Sequence, residues 1–365
     1  MSNIRKTEIK PSGRNYSLDL LRIISMLGIV GLHMMNVGGM ISSGRGVNYV
    51  MSKGIVTLLY SSVNIFAMLT GYLYISKEKN TTKSIIKLLL IVFFYCVVIT
   101  TSAFVFFNKM FISDKRLIVF SLFPALAGRY WYITSYVLMF FMIPYINILL
   151  KTINRETFRK LLLILFVLLS VITSFGLKDY FMVNNGYSPF WLIFCYFTGA
   201  YIKLYGGFFD FSKPKKCILL IFNIFLALLL EVIFRKFIGI SVSFHAYTSP
   251  FIYINAILIV QLFCEFRLNK VPKKIVLSLS TSSFGVYIIH SHILIYDNLI
   301  THRLEWFGNV NPVLWLVYFV AINVGIYLIC HICELVRSLI FRLLHIESFV
   351  EIIGNKLDKK IGWKN

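Results

Sequence analysis

Acidic residues are scarce in this chain of 365 residues, with 15 Asp and Glu against 37 Lys and Arg. Charge of either sign is thin, at 14% of residues where an ordinary soluble domain carries about 25%. Hydrophobic residues make up 58% of the chain and mean hydropathy is +0.78. A water-soluble particle of this size cannot bury so much apolar surface, so a soluble globular fold is excluded. Cysteine is sparse too. Cys96, Cys195, Cys217, Cys264, Cys330 and Cys333 all lie in or at the edge of apolar runs, and none builds a disulfide framework of the small secreted type. Cys330-His331-Ile332-Cys333 has the look of a metal pair, but it sits inside an apolar run with no second ligand pair nearby. Packing is the expected role and no metal is expected. There is no soluble second domain, no long linker and no internal repeat. The net charge of +22 would suggest nucleic acid in a soluble protein. Here the basic residues sit mostly in short loops between apolar runs, where topology and anionic lipid headgroups account for them. A phosphate-bearing cosubstrate is a further use for some of them.

What the chain has in abundance is apolar runs of about 20 residues, each long enough to cross a bilayer core of about 30 Å. They predict an all-α, polytopic integral membrane protein of about ten transmembrane helices. The spans fall near 18–38, 54–75, 83–107, 130–150, 158–177, 189–205, 216–238, 250–266, 279–299 and 313–341. Residues 77–82, 151–156 and 213–216 are polar breaks, and 108–129 is a longer mixed segment with room for a short interfacial helix. The expected organisation is a basic tail over 1–17, a transmembrane domain over 18–345 and an amphipathic tail over 346–365. The first apolar run follows basic residues as a signal peptide would, yet it lacks a small-x-small cleavage site and reads as an uncleaved helix. With the N-terminus placed in the cytoplasm, 25 of the 37 basic residues fall in inner segments and 10 in outer loops, while Arg22 and Lys87 lie within spans. The positive-inside rule therefore predicts that both termini are cytoplasmic and that the protein resides in the cell membrane.

Ionisable groups inside a span are costly and point to function. The first span holds Asp19, Arg22 and His33. Eleven residues separate Arg22 from His33, close to three full turns, so both project from one face about 16 Å apart along the axis. Arg22 is permanently charged and forks onto phosphate. His33 is a proton acceptor near neutral pH. An anchor below and a base above suit a long donor carrying phosphates at one end; the alternative is that Arg22 snorkels to headgroups and His33 bonds a neighbouring helix. Asp19, one turn before Arg22, is expected to pair with it. His290 and His292 lie about 200° apart around a helix and so cannot share a metal. His290 is a candidate to line a cavity. Tyr132 and Tyr136 share a face and could form an acceptor path or an interfacial anchor. Glu231 could orient His33 or pair with a base, and Asn64 could bond substrate or serve packing.

These residues resemble the acyltransferase 3 family of membrane-bound acyltransferases. That family carries an Arg-x10-His pattern in its first helix, matched here by Arg22 and His33. Val63-Asn64-Ile65-Phe66 leading to Thr70-Gly71-Tyr72 is similar to its second-helix segment. Trp131-Tyr132 with Tyr136, Pro144 and Asn147 is similar to its tryptophan-tyrosine helix. Ser249-Pro250-Phe251 and the stretch from Ser283-Phe284-Gly285-Val286-Tyr287 to His290 are similar to its late motifs. The resemblance implies O-acyl transfer, usually of acetyl, from cytoplasmic acyl-coenzyme A to a hydroxyl of a cell-surface or lipid-linked glycan. It implies His33 as the catalytic base, with Arg22, helped by Lys83 and Lys87, holding the donor. Asn64, Tyr132, Tyr136 and His290 would bind substrate. Many members carry Arg-x-x-Arg at the start of the third helix, where this chain has Lys83 and Lys87 at a different spacing. Some members add an extracytoplasmic esterase-like domain. This chain ends at Asn365 without one, so it is expected to pass the acyl group to the acceptor itself or to a separate partner. The competing class is a transporter or flippase of a polar lipid or glycan, which would also bury charges and aromatics but would not need a base above a phosphate anchor.

Overall fold

In a bilayer core no water is available to backbone N–H and C=O groups, so each apolar run must close its own hydrogen bonds as a helix. The computed structural model describes residues 14–77, 81–111, 115–124, 128–176, 179–239, 243–268 and 271–363, and among them there is no strand. The chain runs through α1 (Tyr16–Asn36), α2 (Gly46–Leu59), α3 (Ser61–Tyr74), α4 (Thr82–Phe111) and the short α5 (Lys115–Leu122). Next come α6 (Trp131–Thr152), α7 (Arg155–Phe175), α8 (Pro189–Tyr205), α9 (Lys213–Ile233), α10 (Pro250–Glu265) and α11 (Lys273–His290). The long α12 (Pro312–Leu343) and the tail helix α13 (Ile346–Ile361) complete it. Residues 1–13 of the expected basic tail and 364–365 of the amphipathic tail lie outside the described residues, as do parts of the segments 77–82 and 108–129.

Helix occupies every expected span. Among the described residues, seven helices are long and apolar enough to cross a membrane, with α2 and α3 counted as one. The chain is thus an all-α polytopic membrane protein. Helices α8, α10 and α11 are shorter or more polar and complete the bundle from within. The boundaries depart from expectation in two places. The second span begins earlier, at Gly46, and breaks at Tyr60. The ninth ends at His290, because His292 turns to an extended backbone (φ −62°, ψ 133°) and its ring accepts from Leu294 N at 3.4 Å, starting a new short turn.

Local chemistry sets the helix ends. Asn15 caps α1 by accepting from Ser17 N at 3.0 Å. Ser188 and Asn311 cap α8 and α12, each followed by a proline at the first helical position, where its missing N–H costs nothing. Gly206 ends α8 at φ 84°, a conformation that a β-carbon would strain. Helices α3 and α8 meet backbone to backbone: a β-carbon on Gly71 would strike the Tyr196 carbonyl, and one on Gly199 the Met68 carbonyl. Small residues at such a seam let dispersion contacts act over the whole crossing, which is the main cohesive force between helices in lipid.

The tail helix α13 lies against α4. Lys87 pairs with Glu347 at 2.5 Å and Lys83 with Glu351 at 3.5 Å. Asp358 accepts from Thr82 N at 2.8 Å, and Thr82 Oγ1 donates to the Gly354 carbonyl at 3.0 Å. The Lys87 ammonium holds the Glu347 carboxyl below the usual carboxylate range. Trp363, just past α13, packs on Phe140 and Phe141 of α6. Phe349, Ile352, Leu357 and Ile361 remain exposed, an apolar face suited to the acyl boundary of a membrane.

Candidate active site

One stripe of α1 builds the inner wall of a cavity of about 660 Å³. Arg22, Met26, Ile29, His33 and Asn36 recur at helical spacing and all line it. Leu18, Leu21, Val30 and Met34 are fully buried and hold the helix in the bundle. The volume falls in the range of small-molecule sites, roughly 300–1,000 Å³. Facing α1 are Thr70 of α3, Tyr132 and Tyr136 of α6, Ser280, Thr281 and Tyr287 of α11, loop residues Tyr187 and Tyr247, and Tyr296 of the helical turn Tyr296–Ile300.

The end of the cavity around Arg22 is organised by Asp19, which is 3% exposed. Its carboxylate accepts from Arg22 Nη1 at 3.1 Å, from Arg14 at 2.7 and 3.1 Å and from Ser280 Oγ at 3.1 Å. One carboxylate between two guanidinium groups leaves a net positive charge there. The bond to Asp19 uses one of the five N–H groups of Arg22, and the guanidinium is one-third exposed on the cavity wall. Preorganised in this way, it can grip an anionic oxygen at little entropic cost.

His33 sits three turns above. Its Nδ1 lies 3.0 Å from Nε2 of His290, and the edge of Tyr296 meets its ring at 85° with centroids 5.1 Å apart. His290 is 1% exposed and lies behind His33 on α11. It touches the cavity through His33 rather than forming its wall. Tyr132 and Tyr136 both line the cavity and stack at 6.2 Å. Their rings, with those of Tyr287 and Trp131, make a continuous aromatic wall.

Other expected site residues lie elsewhere. Asn64 is fully buried, donating to the Tyr247 carbonyl at 2.9 Å and accepting from Trp191 Nε1 at 2.8 Å. It braces the loop that carries Tyr247. Lys83 and Lys87 point to α13 in the ion pairs described above and are not part of the cavity wall. Glu231 bonds His245 at 2.9 Å, Lys53 at 3.4 Å and Phe244 N at 2.8 Å, so it pairs with bases other than His33. His292 turns away from His290 to cap the next turn. Asn36, Arg129, Tyr187, Tyr247 and Tyr296, not among the expected site residues, are also on the cavity wall. Asn36 could have been found three residues beyond His33 on the same face; the others lie in connections, where no periodicity marks them.

The arrangement offers a cationic end, an apolar middle formed by Met26, Ile29 and Leu32, and a base beside aromatic rings. Such a cavity can hold an elongated donor and deprotonate a hydroxyl beside it. No curated protein and no solved structure matches the chain. The family model described as an acyltransferase domain matches residues 15–331, nearly the whole chain, including both Arg22 and His33. The chain therefore belongs to the acyltransferase 3 family and is a membrane acyltransferase.

Proposed function

We propose that the protein transfers an acyl group, acetyl in the first instance, from acyl-coenzyme A to a hydroxyl of a cell-surface or lipid-linked glycan. The observation that carries this reading is the joint presence of Arg22 and His33 on one wall of one cavity. Donor phosphates meet Arg22, with the thioester reaching toward His33. His33 takes the proton of the acceptor hydroxyl, and the oxygen attacks the acyl carbon. The carbon–sulfur bond breaks, and the departing thiolate receives the proton from His33. The products are an ester and free coenzyme A. Attack by His33 itself, giving an acyl-histidine, is the other route to the same products. Purified protein in nanodiscs with acetyl-coenzyme A and a polysaccharide acceptor should release thiol and form ester in equal amounts. Thiol release without acceptor would favour the acyl-histidine route, and no transfer from a folded preparation to any hydroxyl acceptor would overturn the proposal.

Lysine is a point charge where arginine is a fork. Arg22→Lys is expected to weaken donor use by roughly 10- to 100-fold, as the loss of a charge-assisted bond of about 1.5–3 kcal/mol implies. The effect should appear in KM and kcat for acyl-coenzyme A, with thermal stability little changed. Wild-type kinetics in the variant would remove Arg22 from the donor site.

The distribution of basic residues supports a cytoplasmic position for both termini, which puts the Arg22 end of α1 on the side where acyl-coenzyme A is made. Reporter fusions at Asn365 and beside Ser43 are expected to report opposite faces of the cell membrane. The same face for both would overturn the ten-helix topology.

A further inference from the structure

We infer that His290 is a positioning residue that fixes the ring tautomer of His33 and so selects which nitrogen acts as the base. The inference rests on the reading of His33 as the base, and it starts from the far end of a short chain of contacts. Nδ1 of His290 lies 2.6 Å from the carbonyl oxygen of Val286, four residues earlier on α11. A carbonyl only accepts, so Nδ1 of His290 must carry the proton. The neutral ring then has a lone pair at Nε2, the atom 3.0 Å from Nδ1 of His33. Nδ1 of His33 must therefore donate, which leaves the lone pair of His33 on Nε2. The opposite assignment would set the lone pair of His290 against that of the carbonyl at 2.6 Å.

The contacts also limit where a proton can go. When His33 Nε2 takes a proton, the ring becomes an imidazolium whose Nδ1–H still points at His290. The lone pair of His290 Nε2 stabilises that charge, as an orienting group behind a catalytic histidine does. The Val286 carbonyl cannot take a proton onward from Nδ1 of His290, so the chain is closed at that end. The proton stays within the His33–His290 pair, available through His33 Nε2 to the leaving thiolate. Ser291 Oγ, 3.3 Å from His290 Nε2 and on the cavity wall, lies within reach of the same lone pair. Its hydroxyl helps hold the ring. The edge of Tyr296 meets the His33 ring at 85° and limits its rotation.

The alignment is specific enough to test with paired variants. His290→Leu fills the space without the lone pair. His290→Gln offers an amide N–H to the Val286 carbonyl and an amide oxygen to His33. The leucine variant is expected to lose about 10²- to 10³-fold in kcat with the donor KM nearly unchanged, since loss of an orienting group costs up to about 10⁴-fold in an analogous arrangement. The glutamine variant is expected to recover at least about 10-fold of that loss, in line with a restored hydrogen bond of about 1.5 kcal/mol. Ring-nitrogen NMR of histidine-labelled protein in nanodiscs reads the tautomer without any assay of transfer, and the chain has only seven His. Wild type should show His33 protonated at Nδ1, with a mixed population in the leucine variant. Thermal melts of both variants guard against misfolding. A folded leucine variant with normal kcat, beside an inactive His33→Ala, would overturn the positioning role and leave the base intact. An active His33→Ala would overturn the base itself, while the NMR result would still decide the tautomer.

Discussion

Replacing His33 by alanine is expected to lower acyl transfer to acceptor by about 10²–10⁴-fold, the usual worth of a positioned general base. The position of the ring motivates the expectation: it lines the cavity, bonds His290 at 3.0 Å and stands three turns from Arg22 on the same stripe of α1. A residue that served only to join two helices would behave otherwise. Losing one hydrogen bond between membrane helices costs about 0.6 kcal/mol, which would leave activity close to normal. Expression level and thermal stability should be measured beside the initial rate. A well-folded variant that acylates as fast as wild type would refute the mechanism.

A second large effect is expected in the buried ion pair of α12, which is not part of the cavity wall. Glu334 and Arg337 pair at 2.5 Å, with both side chains less than 10% exposed. Tyr95 of α4 donates to the same carboxylate at 2.6 Å, and Phe341 lies under the guanidinium at 4.5 Å. Glu334→Ala would leave a buried guanidinium without this counter-charge, at an expected cost of about 3–5 kcal/mol. The thermal midpoint in nanodiscs should fall markedly. The double variant Glu334→Leu with Arg337→Met should recover most of the loss, because two well-packed apolar groups do not carry the desolvation cost of a lone charge. A single variant as stable as wild type would show that the pair contributes nothing to the bundle.

The sequence made the apolar runs, the shared face of Arg22 and His33 and the amphipathic tail legible, because each depends on spacing within one helix. What it hid depends on contacts between distant segments. His290 meets His33 across 257 positions, and no local pattern says that its ring will stand behind another histidine rather than on the cavity wall. Lys83 and Lys87 looked free for donor phosphates because their partners, Glu351 and Glu347, come some 260 residues later. Glu334 and Arg337 sit near the end of the last span, where a basic residue reads as part of an inner loop. Asn64 carried two open readings, and only the approach of Trp191 and the Tyr247 carbonyl distinguishes a brace from a substrate contact. Tyr187 and Tyr247 are in connections, where helical spacing does not apply.

The seam between Gly71 and Gly199 also has a consequence for motion. With a carbonyl of the neighbouring helix against each glycine, α3 and α8 cannot slide along one another without driving backbone atoms together. Any opening that admits an acceptor must carry these two helices as one rigid body. Traffic through the cavity then falls to walls that can yield by side-chain rotation, foremost Tyr187 and Tyr247 in the connections. A substrate too bulky for those rings to clear would be excluded by the stiffness of this seam, whatever its chemical match to the cavity.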